Sequence, residues 1–320
     1  MQIIKSQYLL FFFISLFAFN NVFSQSDSLK QNNSLANTDT LPQKQKFNKK
    51  RLRIVVGTEA TLYAGSLIGL NYLWYANYPR SSFHLFDDDN EWLQMDKCGH
   101  ATTAYYIGRV GIGLMNWSGV EHKKAIWYGG LLGSLYQLNI EIMDGFSTQW
   151  GFSIGDFSAN TFGSALVIGE ALAWDDQRIV LKYSFQQSKY SPYRPNELGS
   201  NLKENMIKDY NGQTYWLSVN PYSFMHKGSK FPKWLNVALG YGAEGMTGAV
   251  SNPPYFDSNG NPVVFERYRQ FYLSLDIDLT RIKTKSAFLK TFFNTIGFIK
   301  FPAPSLEFNK YGVKGHWLGF

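Results

Sequence analysis

Cysteine is almost absent: Cys98 is the only one in 320 residues. An intramolecular disulfide framework and any multi-cysteine zinc or iron–sulfur site are therefore excluded. Charge is also scarce, 17% of residues against about 25% in an average soluble domain. That shortage, beside 17% aromatic and 45% hydrophobic residues, excludes a disordered chain and argues against an ordinary cytosolic enzyme. A surplus of Phe, Tyr and Trp with little charge predicts a chain that meets a membrane. The formal charge of +7 does not mark a nucleic-acid binder. Setting aside Lys5 and the seven basic and two acidic residues of 25–53 leaves 23 basic against 22 acidic residues. No nucleic-acid partner is expected.

The opening residues fit a secretory signal peptide over 1–24. Lys5 precedes an apolar run from Tyr8 to Phe19, and Val22-Phe23-Ser24 offers a cut before Gln25. The run is short for a spanning helix, which needs about 20 residues, although an uncleaved anchor is the rival reading. No cysteine follows it, as a lipoprotein signal would require. Residues 25–53 read as a basic polar linker ending in Lys49-Lys50-Arg51-Leu52-Arg53, a solubilising flank or a contact for anionic headgroups. The expected location is the outer membrane or the periplasmic face of the envelope, with membrane lipid and other envelope proteins as partners.

The fold class expected is α+β: an apolar four-helix membrane-type bundle over 54–175, then a β-rich, barrel-like half over 178–320. The apolar segments run over 54–75, 98–116, 123–144 and 153–173. Small residues recur four apart, as at Gly129 and Gly133 or Gly151, Gly155, Ala159 and Gly163, and so share a helix face along which backbones approach closely. Glu59, His100, Arg109, Glu141, Asp144, Asp156 and Glu170 interrupt these segments. In lipid they would face the bundle interior; in water they would need only a polar face.

Strand candidates are 178–185, 213–219, 234–243, 262–267, 269–280, 304–308 and 314–320. Arg269–Thr280 alternates strictly, with Phe271, Leu273 and Leu275 on one face and Ser274, Asp276 and Asp278 on the other. The terminal Trp317-Leu318-Gly319-Phe320 looks like the last strand of a membrane barrel, the smallest of which have about eight strands. A soluble sheet packed on the helices is the alternative.

The residues that would carry chemistry lie between 96 and 163. Asp96 and His100 are four apart, Glu141 and Asp144 three apart, and Asp156 and Asn160 four apart, each pair on one helix face. Packing along the glycine stripes would bring them together, with Lys97 and Ser153 in the same polar network. Asp96, His100, Glu141, Asp144 and Asp156 are the catalytic candidates. Asp96, His100, Glu141 and Asp144 are the candidate ligands of a divalent metal such as Zn²⁺ or Mn²⁺. The plainer reading is a hydrogen-bonded network that fixes helix packing, with Ser153 or Asp156 opening the last helix. Asp87-Asp88-Asp89-Asn90 lacks the spacing of a calcium loop and reads as a helix-entry turn. Gly240-Tyr241-Gly242-Ala243-Glu244-Gly245 reads as a strand end rather than a phosphate loop, and Cys98 as a packed thiol.

Over residues 90–173 this pattern resembles the YfiM-like family of predicted periplasmic proteins, a domain of unknown function. The matching positions are Asp96, Lys97, His100, Glu141, Asp144, Asp156 and Gly163, with Asn160 alongside. A more distant likeness is to VanZ-like membrane proteins. The resemblance implies a periplasmic setting but no reaction. It does not extend to residues 178–320, which include Lys208 to Ser218 and look like an extension found in longer envelope proteins.

Three functions follow as expectations: an assembly or integrity protein of the envelope; a metal-dependent hydrolase of an envelope lipid or glycan; and a small barrel that binds or admits an apolar ligand. The second requires the five polar side chains to cluster within a few ångströms, beside an accessible pocket. The third requires closed strand pairing.

Overall fold

The computed structural model describes residues 46–73, 75–226 and 228–319. The signal peptide, most of the linker and the terminal Phe320 lie outside the described residues. Five helices come first: α1 (Lys49–Leu73), α2 (Met95–Trp117), α3 (His122–Gly130), α4 (Leu132–Gly145) and α5 (Ile154–Trp174). The third apolar segment is thus two helices, broken at Leu131. Six antiparallel strands follow in the order β1-β2-β3-β6-β7-β8, and β4 and β5 form a separate two-residue ladder at Tyr255–Phe256 and Pro262–Val263. The six are β1 (Ile179–Phe185), β2 (Gln213–Val219), β3 (Leu235–Glu244), β6 (Tyr268–Ile277), β7 (Ala303–Asn309) and β8 (Gly312–Gly319). Helices α6 (Pro195–Leu198) and α7 (Leu202–Lys208) lie between β1 and β2, and α8 (Ala287–Ile296) between β6 and β7.

Helices and sheet in one chain agree with the α+β expectation, but the membrane-type bundle is corrected. Among the described residues no helix is long and apolar enough to cross a membrane. The interrupting charges are the reason: Glu141 and Asp156 are buried against other polar groups inside the helical layer, so the helices pack around a polar centre.

That packing is close. A Cβ on Gly163 would stand 2.1 Å from the Ala101 carbonyl oxygen, and one on Gly133 would stand 2.1 Å from that of Ala104. Glycine is what lets α4 and α5 meet the backbone of α2. Tyr105, Ile126, Val167, Ile168, Val180 and Leu181 form the shared core of helices and first strand. The Tyr106 hydroxyl adds a 2.6 Å hydrogen bond to the Leu181 carbonyl.

The sheet is inverted in polarity. One side buries Lys182, Ser218, Asn236, Asp276 and Glu307, and Lys300 is buried beside them. Lys182 Nζ lies 2.7 Å from Asp276 Oδ2. Trp216 lies on that side too, with Lys300 Nζ 4.8 Å from its ring, whereas Leu239, Phe271, Leu273 and Leu306 point the other way. The segment after α8 reaches the free edge of β1, where the Tyr183 amide donates to Phe298 O at 2.8 Å and the Lys300 amide to Tyr183 O at 2.9 Å. Contact there is limited to the single bridge Tyr183–Ile299, and β8 pairs with β7 alone among the described residues. The barrel expected from the terminal strand is therefore not closed.

Candidate functional site

The centre is assembled from four parts of the chain. A left-handed stretch at Trp92, Leu93 and Gln94 (φ 46°, 50° and 68°) delivers the chain into α2. Tyr241 from β3 holds that stretch through the Leu93 carbonyl. The first turns of α2 then present Asp96, Lys97 and His100. Ser153 caps α5 by accepting from the Asp156 amide at 3.0 Å, so Asp156 and Asn160 face α2 from a fixed start. Glu141 enters from α4, and its Oε2 accepts from the Ser153 amide at 3.3 Å.

The His100 ring is the hub. Its Nδ1 lies 3.1 Å from Asn160 Oδ1 and donates to it. With that bond made, Nε2 faces Asp96 Oδ2 and Asp156 Oδ2, each 3.8 Å away. On the other side Glu141 Oε1 stands 3.8 Å from Nδ1. Asp96, His100 and Asp156 form a group whose ligand atoms all lie within 4.8 Å of one another.

Each of these three side chains has its own outer support. Asn160 orients His100. Tyr210, from the turn before β2, donates its hydroxyl to Asp96. Lys97 Nζ reaches Asp156 Oδ1 at 3.3 Å while bonding Asp88 Oδ1 at 2.6 Å. Asp88 also accepts from Ser153 Oγ at 2.6 Å. Asn160 Nδ2 is buried with no hydrogen-bond partner among the described residues, an unspent donor at the centre.

Electrostatics follow from burial and crowding. Burial pushes the Asp156 carboxyl up to about 8; His100 opposes that rise, and Asp96 and Asp88 add to it. Burial likewise raises Glu141 to about 7, against the pull of His100. Burial disfavours the His100 imidazolium, yet Asp96, Asp156 and Glu141 together outweigh it and hold the ring at about 9. Burial would raise Asp88 too, but hydrogen bonds from Asp156, Lys97 and Ser153 hold it below its ordinary value. Perturbed groups of this kind, packed together, mark candidate functional sites.

Asp144 is placed apart from the group of three. It accepts from the Tyr75 hydroxyl at 2.8 Å, one helical turn along α4 from Glu141. Asp88 and Tyr210 are the members sequence reasoning missed. Asp88 had a signal, an acidic turn nine residues before Lys97; Tyr210 had none. Cys98 is a half-buried thiol, raised to about 11 by burial and the nearby Asp96.

Residues 84–169 match the model of the family described as predicted periplasmic lipoprotein (DUF2279). The match spans every member of the centre except Tyr210. It shows the expected relationship to a periplasmic domain of unknown function, and it supports an envelope location. No curated protein and no solved structure matches, and the VanZ-like likeness gains no support. Cys98 lies inside α2 and is not a lipid attachment point of the kind that description names.

Proposed function

We propose, from that family match and this geometry, that the chain is an exported envelope protein whose centre binds one divalent cation through Asp96, His100 and Asp156. The reaction class that fits is hydrolysis of an envelope lipid or glycan at the outer membrane. The observation that carries the reading is the support of each ligand: Asn160 behind His100, Tyr210 behind Asp96, and Lys97 with Asp88 behind Asp156. Outer partners that fix ligand orientation are what a metal centre needs, whereas a packing network needs no convergence on one point. Two ligands of a tetrahedral zinc ion, at about 2.0–2.1 Å each, stand about 3.4 Å apart. The group, with ligand atoms within 4.8 Å of one another, would have to close by up to about 1.4 Å on a cation. Three protein ligands leave a coordination position for water or substrate, and the cation would supply Lewis acidity there. The chain's own part is to fix the His100 ring through the Nδ1–Asn160 bond so that Nε2 faces Asp96 and Asp156; a bound cation would take the place of the protons that His100 and Asp156 carry at neutral pH.

A second reading, an assembly or integrity protein with a purely structural centre, is favoured by Lys97, which contacts Asp88, Asp89 and Asp156 together. Thermal unfolding of chelator-treated chain separates the two. Under the metal reading, Zn²⁺ or Mn²⁺ stabilises the parent by about 2.7 kcal/mol at a hundredfold excess over Kd, while folded His100→Asn gains nothing. If the parent gains nothing either, the structural reading replaces it.

A further inference from the structure

The inverted sheet points to an interaction surface distinct from the metal centre. The face of β1 and β2 that carries Leu181 and Leu217 packs on the helices, but the same face of β3, β6, β7 and β8 is uncovered among the described residues. There Leu239, Phe271, Leu273, Leu275, Leu306 and Phe308 are all exposed, from 40% to 54%. Directly paired residues place them in one continuous patch: Leu239 opposes Leu273, which opposes Leu306, and Phe271 opposes Phe308. Four strands about 4.8 Å apart, over about 20 Å of strand length, make a patch of about 300 Å² before side-chain relief. A patch of that size is in the range of the largest one on a soluble monomer, which is often functional. The buried side of the same strands carries Gln270, Ser274 and Asp276, which is the reverse of a water-facing sheet.

The two ends of the patch differ. At the end marked by Leu235, Ile277 and Ala303 stand Trp234, 42% exposed, and Trp317, 89% exposed. The connection from β6 to β7 leaves and returns at that end. Residues 279–306 contain five basic residues and no acidic one. Lys283, Lys285 and Lys290 are exposed, and α8 buries none of its residues while exposing Phe288 at 74%. At the opposite end stands Tyr311, 66% exposed.

We propose that this face docks on a lipid bilayer, its apolar patch entering the acyl region while the lysines of the α8 connection meet anionic headgroups. The charge is complementary to that surface, and tryptophans at one end and a tyrosine at the other flank the apolar band, as aromatic residues do on membrane-facing sheets. A band of about 20 Å is shorter than a hydrocarbon core of about 30 Å, so the sheet dips into the membrane without crossing it.

Flotation of the full chain tests this, with vesicles of phosphatidylethanolamine and phosphatidylglycerol beside vesicles of phosphatidylcholine alone. The parent is expected to float with both, more strongly with the anionic set. Leu239→Asp with Leu306→Asp should stay at the bottom in both, while keeping the parent's circular dichroism and unfolding curve. Lys283→Gln with Lys285→Gln should weaken only the anionic binding, by about fivefold per lysine. A parent that does not float overturns the proposal, as does flotation indifferent to the Leu239/Leu306 pair. A solution dimer dissociated by that pair would identify a second copy as the occupant instead. None of these readouts depends on the metal centre.

Discussion

Asp276→Asn is a demanding test of the inverted sheet. Asp276 is fully buried, as is Lys300, and Lys182 is 1% exposed. The carboxylate lies 2.7 Å from Lys182 Nζ and accepts from Ser218 Oγ at 2.6 Å and from the Phe301 amide at 3.1 Å. It is also what draws Lys300 upward against burial, which nonetheless holds that lysine down at about 8. Asparagine keeps the shape and one acceptor but removes the charge, so two buried lysines lose their counterion. Breaking a buried pair costs about 3–5 kcal/mol. Deprotonating a lysine at pH 7 costs about 4–5 kcal/mol, which caps the penalty per lysine. The expected loss is therefore about 4 kcal/mol in urea unfolding at pH 7, read by tryptophan fluorescence. It should shrink as the pH approaches 10, where the stranded lysine sheds its proton at little cost. Adding Lys182→Met should recover at least half. A loss below about 1 kcal/mol, or one that does not change with pH, would refute the reasoning.

Lys300→Met should remove a pH dependence. A lysine whose pKa falls from 10.5 unfolded to about 8 folded lets the unfolded chain bind more protons between those values, so stability rises with pH across that window. The parent should gain up to about 3 kcal/mol relative to Lys300→Met between pH 8 and 10.5, measured by urea unfolding at each pH. Two glycine substitutions should differ in sign. Gly163→Ala drives a Cβ to 2.1 Å from the Ala101 carbonyl and should cost about 2–3 kcal/mol. Gly65→Ala meets nothing within 4 Å inside α1 and should gain about 0.5–1 kcal/mol. Calorimetric unfolding of both variants checks the pair.

Local chemistry was legible in the sequence; partners distant in the chain were not. The alternation of Arg269–Thr280 located β6, and Ser153 with Asp156 marked the start of α5, because both signals lie within a few residues. Which face of β6 turns inward could not be read from alternation, since a period of two is the same for either face. The structure buries Gln270, Ser274 and Asp276, because Lys182 from β1 supplies the charge that Asp276 requires. The break at Leu131 has only the Gly129-Gly130 pair as a signal, and glycine pairs served equally well as packing stripes. In the centre, the helical spacing that paired Asp96 with His100 and Asp156 with Asn160 put each pair on one face. It also paired Glu141 with Asp144, which a single turn separates enough for Asp144 to bond Tyr75 instead. Tyr210 reaches Asp96 across 114 positions, and only the fold brings that contact about.

Metal content of the purified chain, taken with X-ray absorption at the metal edge, tests the cation centre most directly. The account predicts one divalent ion per chain, with one nitrogen and carboxylate oxygens at about 2.0–2.2 Å, and its loss in folded Asp156→Asn. Chain that remains metal-free after incubation with Zn²⁺ and Mn²⁺, or metal that persists in Asp156→Asn and in His100→Asn, would contradict it.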